Sequence, residues 1–427
     1  MTTVTLSPRT LARPPGVLYH EGQTQAEVFT VRSRRLFGTV VALLASMTLL
    51  AACSSDSGDF GDAFKDKAKA TTGGESKDDR PAAKITFAPA DGAKDVSVLD
   101  PVKITVDGGE LTDATVTSPA GKEVTGELAP DKLSWTSGEV LGYGKTYKYV
   151  ATAKSKEGKE STQEGTFTTV APASTPRATI NPSDSATVGV AMPVSVKFPE
   201  GPVTDKAAVE KMLDIKTSVP VEGAWGWLND QQVDWRPKEY WPANTTVTVN
   251  AKLYGLDYGN GAYGKSDLST EFTIGRNQVV KINTPDHKMN VYRDGALAAS
   301  YPASNGLDAE PDRNTPNGTV VVMEKQPVGD FSNPRYGYKN VKKKWAVRIS
   351  NHGEYIHENN DNAANIGKVN SSHGCVNLLE ADAKKYYDSA LIGDPVEITG
   401  SKAKYPATSD VFDWLIPWSQ WQTMSAL

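Results

Sequence analysis

The chain has little cysteine and little histidine: two and five residues, respectively, in 427. Two thiols are too few for a disulfide framework, and no paired Cys or His ligands show the spacing of a zinc site. No metal and no cofactor is expected. Long apolar runs are lacking too. The one candidate, residues 36–50, spans about 15 residues, short of the roughly 20 that cross a bilayer. No long basic run follows it, and the net charge is −5, so nucleic acid is excluded as the main partner. What remains is 38% hydrophobic and 23% charged, the balance of packed globular modules.

Arg32, Arg34 and Arg35 precede the apolar run, which ends in LLAAC at Cys53. A basic segment, a short apolar core and small residues before a cut site form an export signal. Residues 50–53 resemble the bacterial lipobox, which implies cleavage before Cys53 and lipidation of its sulfur. Residues 1–52 are then a signal peptide whose first 30 residues form an atypical upstream extension. The mature chain is expected as a lipoprotein on the outer face of the cell membrane, reaching into the wall. With Cys53 lipidated, Cys375 has no partner within the chain.

Residues 53–80 are polar, charged and Gly-rich, and read as a flexible tether. Residues 81–173 carry short strands separated by turns, such as VKITV, KLSWT, TYKYVATA and GTFTT. Residues 174–276 repeat the pattern weakly: KLSW, ending at Trp135, parallels QVDW, ending at Trp235. The expected fold is all-β, with two tandem immunoglobulin-like β-sandwiches followed by a third β domain over 277–400. One or two short helices are expected, over 204–215 and 378–391. The Trp-rich tail, 401–427, has no regular period and reads as a docked strap. Trp135, Trp225, Trp227 and Trp235 fit sandwich cores better than glycan platforms. Lys342, Lys343 and Lys344 fit a solvated strand edge.

SSHGCVN, residues 371–377, surrounds the lone thiol with polar groups and a glycine. A helix starting just after Cys375 would aim free N–H groups at the sulfur, favouring a thiolate nucleophile. Such a nucleophile needs a base. His373 lies two residues away, and His357 ends a candidate strand; spacing alone leaves both open.

His357, fourteen residues, then Ser372-His373-Gly374-Cys375-Val376-Asn377 resembles the signature of the L,D-transpeptidase (YkuD) family. TPNG, 315–318, resembles the family's turn before a core strand. The resemblance covers roughly 277–400, and the preceding sandwiches, tether and tail resemble its actinobacterial members. It implies a YkuD-type β-sandwich in which Cys375 is the nucleophile and His357 the base. It also implies an orienting role for His373 and oxyanion-holding N–H groups around Gly374 and Cys375. Asn377 and Ser372 are implied substrate contacts; His352, Gly353 and Tyr338 follow by a weaker alignment. The implied reaction releases D-Ala from a peptidoglycan tetrapeptide stem and forms a 3→3 cross-link between diaminopimelate residues. Carbapenem-type β-lactams are the implied inhibitors. Glu358 stands where related sequences often have Ser, and its carboxylate would tend to raise the imidazole pKa. The loop 359–370 either closes over substrate or is a plain solvent loop. Two rival functions remain: an L,D-carboxypeptidase on the same donor, and a wall-binding lipoprotein with a dead site.

Overall fold

The computed structural model describes residues 78–406 and 413–427. The export signal, Cys53 and nearly all of the tether lie outside the described residues. Among the described residues no helix is long and apolar enough to cross a membrane.

The chain is built of β-sheets with short helices. In the first module a four-stranded sheet runs in the order Lys84–Ala88, Lys103–Asp107, Ser134–Ser137, Gly126–Leu128. It faces a three-stranded sheet of Gly109–Thr117, Thr146–Ser155 and Glu160–Thr168. Ile104, Trp135, Tyr149 and Phe167 fill the space between them. The second module pairs two four-stranded sheets, one centred on Gln232–Pro237 and Val194–Lys197, the other on Thr246–Ala251 and Leu268–Ile274.

The weak repeat has a packing counterpart. Trp135 sits against Gly126 and Trp235 against Gly223; a Cβ on either glycine would fall 2.0 or 2.1 Å from the indole. In each module the glycine lies two residues before the tryptophan's strand partner, Leu128 or Trp225. Trp135, Trp227 and Trp235 are buried as expected, and Trp225 is partly buried. Of residues 204–215 only Lys206–Glu210 is helical, and Leu213–Thr217 is a strand instead. Leu213 is buried at the start of that strand, which pairs with Thr246–Ala251, so tertiary pairing overrides local helix propensity.

The third region packs a five-stranded sheet against a four-stranded one. The first runs Ala296–Pro302, Lys288–Arg293, Gln278–Asn283, Pro395–Thr399, Gly318–Val321. The second runs Glu324–Asn333, Tyr338–Arg348, Tyr355–Glu358, Val376–Leu378. Val280, Ile282, Val347, Ile356, Val376 and Val396 form the core between them, closed by Ala383 and Tyr386 of the helix Glu380–Ser389. Apolar burial at roughly 25 cal/mol per Å² makes this cluster the main stabiliser of the platform carrying the site.

The tail docks as a strap. The Arg236 guanidinium of the second module lies 4.7, 5.2 and 4.9 Å from the rings of Trp414, Trp418 and Trp421. Trp421 donates to Ala224 O and Trp414 to Ala191 O, while Leu415 packs on the third region's core. At the same joint Gly189 approaches so closely that a Cβ would lie 2.2 Å from Asp394 N.

Candidate active site

The four-stranded sheet brings the nucleophile candidate and the base candidate together by parallel pairing. Tyr355–Glu358 runs beside Val376–Leu378 with His357 opposite Asn377 and Ile356 opposite Val376. Alternation sends Ile356 and Val376 into the core and leaves His357 and Asn377 on the other face. Cys375 precede this strand by one residue. His357, Cys375, Asn377, Ser372, His373 and Tyr338 all line one cleft of about 350 Å³.

No helix begins at Cys375, contrary to expectation. A strand follows it, and the helix starts only at Glu380, because Val376 and Leu378 are drawn into the core. Burial pushes the thiol up to about 12, and the Tyr355 backbone N–H offsets this only in part. That shift favours the thiol form, and Cys375 Sγ donates to Gly353 O at 3.7 Å. Burial likewise depresses His357 from its ordinary 6.5 to about 4. Its Nδ1 lies 2.6 Å from Glu358 O. A carbonyl only accepts, so Nδ1 carries the proton and Nε2 presents a lone pair. The Glu358 carboxylate turns away to the N–H groups of Lys344 and Asn360. Its small upward pull on the imidazole pKa is outweighed by burial. A neutral thiol and a neutral imidazole of fixed tautomer can exchange a proton once a carbonyl arrives.

The turn carrying Cys375 is braced on several sides. Gly374 has φ +119°, a region that L side chains rarely enter, and a Cβ there would meet Glu354 at 3.5 Å. Ser372 Oγ donates to Cys375 O at 2.6 Å and accepts from Gly374 N at 3.1 Å. In this structure the Gly374 N–H is used within the turn. Ser372 thus holds the turn as well as lining the cleft.

Sequence reasoning missed two further braces. Thr315 of the TPNG turn donates to Gly374 O at 2.8 Å, and Arg313 Nη2 donates to Ser371 O at 2.8 Å. The motif marked Thr315 as a turn residue but carried no sign of its reach across 59 positions.

His373 is exposed at the cleft and touches the hairpin of Glu324–Asn333 and Tyr338–Arg348. Its ring centroid is 4.5 Å from Tyr336 and 5.5 Å from Tyr338. Burial, helped by Arg313, lowers its pKa. Tyr338 itself feels the sulfur electrostatically. Gly353 reaches the site through its carbonyl, whereas His352 is exposed and outside the cleft lining. Asn377 is 2% exposed, and its Oδ1 has no hydrogen-bond partner. The loop 359–370 is a fixed wall rather than a plain solvent loop: Asn362 bonds Ser304 and Ser371, and Gly367 N donates to Ala303 O. Among the described residues no group of three or more His, Cys, Asp or Glu is placed to hold a metal.

Comparison with known proteins agrees with this architecture. Residues 93–257 match the bacterial Ig domain family, and residues 277–398 match the L,D-transpeptidase catalytic domain family. L,D-transpeptidase 5 of Mycobacterium tuberculosis is 45% identical over 353 residues, covering 81% of this chain and 78% of the relative. L,D-transpeptidase 2 of the same species is 34% identical over 418 residues, covering 94% of this chain and 98% of the relative. A solved LD transpeptidase in complex with imipenem has 31% identity and a TM-score of 0.45, covering 52% of this chain and 99% of that one. On the two full-length relatives and the catalytic-domain match, the chain belongs to the L,D-transpeptidase family.

Proposed function

We propose that this L,D-transpeptidase forms 3→3 cross-links through a thioester on Cys375. The sulfur attacks the carbonyl joining meso-diaminopimelate to D-Ala in a tetrapeptide stem, and its proton passes to His357 Nε2. The tetrahedral oxyanion collapses, the C–N bond breaks, and His357 returns the proton to the departing D-Ala amine. The side-chain amine of a second diaminopimelate then attacks the thioester. His357 takes that proton, the C–S bond breaks, and the thiol is restored.

The observation that carries this reading is geometric: Cys375 and His357 line one cleft, and Glu358 O holds the Nδ1 proton so that Nε2 keeps its lone pair. A thioester formed there survives long enough for an amine to arrive. The same thiol would open a carbapenem's β-lactam ring and retain it as an acyl group. The wall-facing location rests on the lipobox at Cys53, and Cys53→Ala should abolish incorporation of labelled palmitate.

Mass spectrometry of intact protein with a disaccharide-tetrapeptide tests the chemistry. A Cys375 adduct equal to donor minus D-Ala, followed by cross-linked dimer, is expected. Free tripeptide without dimer would make the protein a carboxypeptidase, and absence of any adduct would overturn the nucleophile.

A further inference from the structure

Lys342, Lys343 and Lys344 were expected as one solvated edge, and the strand Tyr338–Arg348 divides them. Neighbours on a strand face opposite ways. Lys342 pairs with Asp330 and Lys344 with Glu380, and all four side chains are at least 39% exposed. Lys343 points the other way. Its side chain is 12% exposed and lines the cleft with His357 and Cys375. Among the described residues lining that cleft it is the one Lys or Arg.

Its ammonium bonds Asn359 Oδ1 at 2.7 Å and Asp361 Oδ2 at 2.8 Å. Those two partners are unequal. The Asp361 side chain is 91% exposed, so its carboxylate reaches in from water and loses little by returning there. Lys343 and His357 line the same cleft, and the charge of Lys343 also favours the neutral imidazole.

The reaction proposed above, on which this inference rests, places a particular group beside His357. The leaving nitrogen belongs to a C-terminal amino acid and must reach the imidazole. The carboxylate of that residue is one carbon from the nitrogen. We infer that Lys343 binds the C-terminal α-carboxylate of the donor peptide, and that Asp361 occupies its ammonium until substrate displaces it. An added residue would move the carboxylate by roughly 3.5 Å and out of reach. Lys343 thereby selects donors that end one residue beyond the scissile bond.

The test compares D-Ala release from a tetrapeptide donor with D-alaninamide release from its C-terminal amide. Wild type should prefer the free acid by about ten- to hundredfold in kcat/KM, the worth of one charged hydrogen bond, and mainly through KM. Lys343→Met should bring the acid-to-amide ratio to about one, and Lys343→Arg should restore part of it. Asp361→Asn should lower KM for the acid by freeing the ammonium. An unchanged ratio in Lys343→Met overturns the inference. If that variant does not fold, a wild-type ratio near one, or an unchanged KM in Asp361→Asn, overturns it instead. No release of either product by wild type would overturn the donor reading itself, a result distinguishable from release without preference.

Discussion

His357 and His373 open onto the same cleft, and burial drives both imidazoles toward neutrality. Their surroundings differ in kind. His357 lies on a strand whose neighbour Ile356 is sealed in the core, and a backbone carbonyl at 2.6 Å holds its Nδ1 proton. His373 lies on a turn, and its ring meets Tyr336 and Tyr338 on the covering hairpin. Neutrality makes an imidazole able to accept a proton, while a fixed tautomer on a rigid element aims the lone pair. Closeness in sequence to the nucleophile therefore says little about which histidine is the base.

Substituting each histidine in turn presses hardest on this contrast. His357→Asn should reduce D-Ala release by about a thousandfold, within the range of a lost general base. His373→Asn should cost about tenfold, chiefly in KM, because it loosens the hairpin over the site. Equal losses would assign the base to the wrong side. Gly374→Ala affects the turn between the two flanks. At φ +119° the strain of an alanine costs about 1–3 kcal/mol of stability, and release should fall as the turn shifts to relieve it. Normal turnover in that variant would mean that the turn relaxes without moving the sulfur.

The smallest expected effects lie in pH dependence. The acid limb of kcat/KM should have its midpoint near pH 4, where His357 takes its proton; a midpoint near 6.5 would mean a solvated imidazole. Stability follows the same displacement. Between about pH 6.5 and 4 the unfolded chain binds the His357 proton and the folded one does not, so stability falls as pH drops through that window. Above pH 9 the unfolded thiol ionises before the folded one, which titrates near 12, so stability falls as pH rises. Melting temperatures of wild type and His357→Asn across pH 4–7 check the first limb, which the variant should flatten.

Much of the site could be read from residues 357–377, for a structural reason. A fixed His-to-Cys spacing works as a signature because His357 lies on one of two adjacent parallel strands and Cys375 immediately precedes the other, so a spacing in sequence stands for a register in space. The supposed helix after Cys375 failed because Val376 and Leu378 obey the core, and local propensity yields to that burial. Lys343 was hidden for another reason. Three like residues in a row display no alternation until the strand's two faces are known. Thr315 and Arg313 act across more than fifty residues, a distance over which local pattern carries no information. The all-β class and the Trp135–Trp235 parallel were legible because each depends on short alternating segments and one invariant packing need, a glycine under an indole.

The strap gives residues 413–427 an unusual duty. Trp421 rests on the second module and Leu415 on the third region, with Arg236 clamped among three indoles between them. The clasp can close only where both bodies it fastens are already folded. Removing the indoles of Trp414 and Trp421 would then leave the chemistry of Cys375 intact on an unlatched arm, and aim rather than reactivity would be lost.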